Sequence, residues 1–165
     1  RLHPDWEYKL WTNEDVDALD FENKKYYDQA TNWGEKADIL RYEIIYRFGG
    51  LYVDIDQQCL KPFDVLHHTC DFYTGVHALP LLLVGNQALR IANGVIAARP
   101  GHPILKLVIE QIQHARKHHD LLFRTGPDFF TNMIIQAWDA SRTQGNIDLI
   151  LPANYFYPCA ERPAY

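Results

Sequence analysis

The chain has 165 residues, enough for one domain of ordinary size, and 47% of them are apolar, so a substantial core can form. The formal net charge of −5 argues against a nucleic-acid partner, whose phosphates call for a basic excess. The longest apolar run, residues 79–84, contains a proline and is too short to span a bilayer, and three widely spaced cysteines (Cys59, Cys70 and Cys159) form neither a disulfide scaffold nor a zinc-ligand pattern.

In chain order, residues 8–11 read as a short strand. Thr12 and Asn13 then offer helix caps, with Glu14 and Asp15 suited to the positive end of the helix dipole, and a polar helix is expected to run towards Ala30. Trp33-Gly34 breaks that pattern. A periodic helix is predicted over residues 35–48, with Ala37, Leu40, Ile44 and Phe48 towards the core. Gly49-Gly50 stops it, because glycine readily adopts the backbone that ends a helix.

The next run, residues 51–56, is β-rich and carries Asp54 and Asp56. Further strands are expected at residues 70–76, 81–84, 94–98 and 147–151. Helices are expected from Pro103 to about Lys117 and from Pro127 or Asp128 to about Ser141. Helices and strands alternate without a repeat or a linker, so the fold class is α/β and residues 1–165 read as a single domain. The cysteines read as buried, reduced thiols.

In a strand, alternate residues share a face. Asp54 and Asp56 would therefore emerge together at the end of the strand, with Ile55 anchored in the core. Two hard oxygen ligands at a sheet edge suit magnesium or manganese. An Asp-x-Asp triplet alone is more often an ordinary acidic strand end, so its context decides. Asp38 and Arg41 share a helix face that leads through the Gly-Gly turn into the acidic strand. An isolated surface pair of this kind contributes only about 0.3–0.5 kcal/mol. Beside the carboxylates, an acid and an arginine can instead grip sugar hydroxyls.

The stretch from Ala37 to Asp56, ADILRYEIIYRFGGLYVDID, closely resembles the DXD sugar-binding region of glycosyltransferase family 32. That family holds yeast initiating α-1,6-mannosyltransferases, inositolphosphoceramide mannosyltransferases and many bacterial capsule and lipopolysaccharide enzymes. The α-1,4-galactosyltransferases and the clostridial glucosylating toxins share its core pattern. Residues 3–11 (HPDWEYKLW), 93–103 (NGVIAARPGHP), 125–127 (TGP) and 155–158 (YFYP) resemble further segments of the family.

The resemblance implies a GT-A fold with a mostly parallel nucleotide-binding sheet between helices. It implies a metal-dependent enzyme that moves a hexose from UDP- or GDP-hexose to a hydroxyl of a glycan, glycolipid or protein, with retention of configuration. Asp56 would ligate Mn2+ or Mg2+. Asp54 would contact the donor or hold the metal through water. Asp38 and Arg41 would bind the hexose, and Tyr52 would shape the nucleotide pocket. Two segments usual in the family, an "IPKiIHQiW" strand before residue 1 and a His-x-x-x-x-Trp-like stretch after Pro158, are not in the sequence, so the domain reads as trimmed at both ends. A cytoplasmic site at the membrane face is expected, with the Golgi lumen or a secreted effector as alternatives. Two rival functions are a toxin-like transferase acting on a host protein and a non-catalytic relic of the fold.

Other polar residues divide less sharply. Asn93 reads equally as a donor or acceptor contact and as a turn residue. Asp128 reads as first-turn helix charge in preference to an acceptor-side base. His102 reads as structural. His67, His68, His114, His118 and His119 read as solvated helix faces.

Overall fold

The computed structural model describes residues 2–77 and 89–157. The expected strand at 81–84, together with Pro158 and Cys159, lies outside them. In order the elements are α1 (Asn13–Asp17), α2 (Lys24–Gln29), α3 (Trp33–Phe48), β1 (Gly50–Val53), α4 (Asp64–Thr69), β2 (Phe72–Val76), β3 (Ile91–Ala98), α5 (Pro103–Ala115), α6 (Leu121–Arg124), α7 (Pro127–Thr143), β4 (Asp148–Leu151) and α8 (Ala153–Phe156). No helix among the described residues is long and apolar enough to cross a membrane.

The expected strand at 8–11 does not form, and Tyr8 and Leu10 there are largely exposed. The polar helix is two short ones. Thr12 caps α1 through a reciprocal bond with Asp15, and the chain leaves that helix at Ala18 before re-entering at Lys24. Trp33-Gly34 opens α3 where a break was expected. Asn32 accepts bonds from the Gly34 and Glu35 amides, and this capping satisfies the free donors of the first turn.

The core stripe of α3 also differs from the expected one. Ile39, Tyr42, Ile44 and Ile45 are buried, whereas Ala37 and Leu40 are half-buried and Phe48 is exposed. The reason is that Glu35, Arg41 and Glu43 are buried as well, each held by polar partners. A count of apolar residues alone therefore mislocates the inward face.

The sheet runs in the order β1-β3-β2-β4. It is mixed and not mostly parallel: β3 is antiparallel to both β1 and β2, and only β2 and β4 run parallel. The cause is the connection after β2. The His77 amide donates to Arg90 O at 2.8 Å, so β3 returns beside β2 in the antiparallel sense of a hairpin. The parallel strand β4 is reached through α5, α6 and α7, the long crossover such pairing requires.

All eight residues of β3 are buried, as befits a central strand. One face of the sheet packs against α3, α5 and α7 around Tyr42, Phe72, Ile96, Ile112 and Phe130. On α5, Ile104, Leu105, Val108, Ile109, Ile112 and Ala115 form the inward stripe at helical spacing. A smaller cluster of Cys70, Tyr73 and Ala97 lies on the other face, beneath Leu66 of α4 and Phe156 of α8. Cys70 is buried as expected, but Cys59 is exposed.

Candidate functional site

The site forms where α3 runs into β1. Gly49 has φ of 70°, a left-handed value that glycine adopts without steric cost. The turn reverses the chain so that β1 lies alongside β3, paired from Gly50↔Ala98 to Val53↔Val95. Pairing extends one step further, with the Asp54 amide donating to Gly94 O at 2.9 Å. The chain then turns, and the Gln57 amide donates to Asp54 O at 3.1 Å.

This turn overturns one expectation. Asp54 and Asp56 do not share a strand face, and Ile55 is no core anchor, being 97% exposed. The strand ends at Val53, so the alternation of a strand does not apply beyond it. Asp54 is half-buried at the sheet edge. Asp56 is exposed at the tip, and its carboxylate makes no hydrogen bond or ion pair among the described residues.

Arg41 is the centre of the arrangement. Its Nη2 lies 3.2 Å from Asp38 Oδ1, and its Nη1 lies 3.3 Å from Asp54 Oδ1. Nη1 donates to Asn93 O at 2.6 Å and Nε donates to Ala37 O at 3.2 Å. The guanidinium also lies over the Tyr52 ring, 4.6 Å from its centroid. Only arginine presents donors in a planar fork that can meet this many acceptors at once. The pair with Asp38 is therefore buried and branched, unlike an exposed helix pair. Burial alone would lower the arginine's proton affinity, but Asp38 and the neighbouring groups reverse this and the net shift is upward.

Asp38 is filled on both oxygens. Asn93 Nδ2 donates to Oδ1 at 2.8 Å and Thr125 Oγ1 donates to Oδ2 at 3.1 Å. Burial raises the carboxyl to a pKa of about 6, against the opposing pull of Arg41 and these hydrogen bonds. Tyr52 donates from its hydroxyl to Asp54 Oδ1 at 2.7 Å. Its own proton is held well above the usual tyrosine range, first by burial and then by its bond to Asp54.

Asn93 is neither a turn nor a cap. It sits in β3 where the pairing to β2 slips, from Thr74↔Ile96 to Gly75↔Ala92, so that residues 93–95 bulge. The Thr74 hydroxyl lies 2.9 Å from both Ala92 O and Val95 O and closes the bulge. The bulge directs the Asn93 side chain at Asp38 and at the Tyr42 hydroxyl, 2.9 Å away. Of the sequence-derived residues, Asp38, Arg41, Tyr52, Asp54 and Asn93 form one network. Asp56 stands beside it at the tip of the turn.

Sequence reasoning missed three members. Tyr42 donates to Thr125 O at 2.8 Å and accepts from Asn93; its place four residues after Asp38 on one helix face was the available signal. Thr125 is reached only through tertiary packing. Gly94 is needed for close approach, because a Cβ there would lie 2.6 Å from Asp54 Oδ2.

The weaker candidates resolve as structural. Asp128 is buried and forked to Arg90, with Nε–Oδ1 at 2.5 Å and Nη2–Oδ2 at 3.0 Å. His102 is buried at the start of α5, stacked on Phe72, with Nε2 3.0 Å from Asp148 Oδ1. His67 packs among Trp6 and Tyr73, and burial lowers its pKa. Among the described residues no group of three or more His, Cys, Asp or Glu could hold a metal.

The chain joins a helix-borne Asp/Arg pair to an Asp-x-Asp turn at the edge of a mixed α/β sheet, and its fold is of the GT-A class. The fold matches the solved PaToxG glycosyltransferase with a TM-score of 0.53 and 24% identity, over 73% of this chain and 44% of that one. Residues 1–73 match the family model for the glycosyltransferase sugar-binding region containing DXD motif. The inositol phosphoceramide mannosyltransferase 3 of Schizosaccharomyces pombe is 32% identical over 83% of this chain and 38% of its own length. The mannosyl phosphorylinositol ceramide synthase CSH1 of Saccharomyces cerevisiae is 28% identical over 93% of this chain and 41% of its own length. The chain belongs to the DXD-containing glycosyltransferases of family 32. It spans about two fifths of the length of these relatives.

Proposed function

We propose that the protein is a metal-dependent hexosyltransferase that uses a nucleoside diphosphate sugar. The names of the relatives favour mannose as the sugar and a glycolipid of the inositol phosphoceramide type as the acceptor. Residues 1–165 act in this reading as one catalytic domain, working at a membrane surface where such an acceptor resides. Transfer proceeds with retention of configuration, the outcome implied by the family.

The observation that carries the reading is Arg41, buried and placed between Asp38 and Asp54. A buried arginine with this many partners fixes the Asp54 carboxylate before any ligand arrives, and prior orientation is the main lever of transfer catalysis. In the state described, Asp38 holds Arg41, Asn93 and Thr125. A hexose hydroxyl entering beside it would exchange with one of these bonds.

The residues present suit a cation shared with a ligand. Asp54 Oδ1 is occupied by Tyr52 and Arg41, while Oδ2 lies over the bare Cα of Gly94 and accepts no hydrogen bond among the described residues. Asp56 is exposed close by in the same turn. Carboxylate oxygens of this kind are hard ligands that suit magnesium and manganese when phosphate oxygens and water complete the shell. A divalent ion at Asp54 and Asp56 would offset the charge of the departing diphosphate.

The test is Arg41→Lys in the full-length protein. Lysine keeps the charge but cannot fork between Asp38 and Asp54. Turnover of the nucleotide sugar should fall about 100-fold or more, as when an oriented charge is lost from an active site. Turnover close to that of the parent would remove Arg41 from the mechanism.

A further inference from the structure

Two glycines on neighbouring strands admit two consecutive aromatic residues. A Cβ at Gly75 of β2 would lie 2.7 Å from the Phe156 ring. A Cβ at Gly94 of β3 would lie 2.6 Å from Asp54 Oδ2 and 3.3 Å from the Tyr157 hydroxyl. Phe156 is seated on the sheet between Phe63 and Tyr73, at ring distances of 5.8 Å and 6.4 Å. That seat delivers the next residue, Tyr157, to the turn that carries Asp54. His77, one residue beyond β2, stacks on the Tyr157 ring at 5.6 Å and 26°. The His77 backbone is itself fixed by its bond to Arg90 O.

The tip of this assembly is unsatisfied. The Tyr157 hydroxyl is buried and has no hydrogen-bond partner among the described residues. The Val95 backbone lowers the hydroxyl's pKa, as an amide donor facing its oxygen does, so it offers the O–H no acceptor. Buried hydroxyls ordinarily find one. Here the hydroxyl and Asp54 Oδ2 flank the same Gly94 Cα, and both are unpaired. A donor and a carboxylate converging on one point suit a ligand oxygen that accepts from the first and shares a cation with the second.

We propose that the Tyr157 hydroxyl binds the donor substrate, donating a hydrogen bond to a phosphate oxygen of the nucleoside diphosphate held at Asp54 and Asp56, with His77 as the positioning residue for its ring. The inference rests on the nucleotide-sugar reading of the site. A neutral tyrosine is the right chemistry, because it donates to an anion without competing for the cation.

The experiment is calorimetric titration of the full-length protein with UDP and with GDP at saturating manganese. Tyr157→Phe keeps the ring and its stack on His77 and removes only the hydroxyl. The nucleotide that binds the parent should bind this variant about tenfold more weakly, as expected for a hydrogen bond to a charged group. The melting temperature should not change. His77→Ala should weaken binding in the parent but add nothing in the Tyr157→Phe background. Affinity of Tyr157→Phe equal to that of the parent overturns this inference alone. A further loss from His77→Ala in the Phe background overturns the role of His77. A parent protein that binds neither nucleotide overturns both this inference and the function it rests on.

Discussion

Asp38→Asn isolates the energetic cost of the site. In the folded protein burial raises the Asp38 carboxyl to about 6, from an ordinary value of 3.8. A raised carboxyl means that the folded state binds the proton more tightly than the unfolded chain does. The associated stability is therefore fully present below about pH 3.8 and is lost as the pH rises through about 6. Across the whole window the loss is about 3 kcal/mol, and about 2 kcal/mol of it falls between about pH 4 and pH 7. The asparagine side chain cannot ionise, so the stability difference between parent and variant should shift by that amount, against the parent, over this range. Urea unfolding of both proteins at half-unit pH steps measures it. A difference that stays flat across this range would show that Asp38 is not desolvated, and the buried network around Arg41 would then be wrong.

Other expectations follow from the same geometry. Gly94→Ala places a Cβ 2.6 Å from Asp54 Oδ2, so the carboxylate must move; manganese-dependent turnover should fall about tenfold or more while far-UV circular dichroism is unchanged. Glu35 is buried between Arg116 and Arg124, at 3.2 Å and 2.8 Å, and Glu35→Ala should cost about 3 kcal/mol, seen as a lower urea midpoint with the same slope. Tyr42→Phe removes the bond to Thr125 O and the acceptor for Asn93; a stability loss of about 1–3 kcal/mol should appear in thermal melts, together with a raised KM for the donor.

Much of this was legible in the sequence where short-range rules govern. The end of α3 at Gly49, the glycine turn and the pairing of Asp38 with Arg41 follow from helix geometry and glycine's backbone freedom. The helices opened by Pro103 and Pro127 were also legible. What escaped depends on contacts distant along the chain. The inward face of α3 is set by buried Glu35, Arg41 and Glu43, whose partners lie in other elements. The bulge that aims Asn93 depends on the β2 register and the Thr74 hydroxyl, and no local pattern announces it. The separation of Asp54 from Asp56 arises because β1 ends one residue before the first carboxylate, so strand alternation does not carry through to the second. The mixed sheet reflects the hairpin-like return at His77 and Arg90.

Release of nucleoside diphosphate from a panel of UDP- and GDP-hexoses, measured for the full-length protein and its Asp56→Ala variant with manganese and with EDTA, tests the central claim most directly. The expected result is turnover of at least one sugar nucleotide by the parent in manganese, abolished by EDTA and by Asp56→Ala. Turnover that survives either change would contradict a cation site at Asp54 and Asp56, and a parent protein inert towards the whole panel would contradict the proposed transferase.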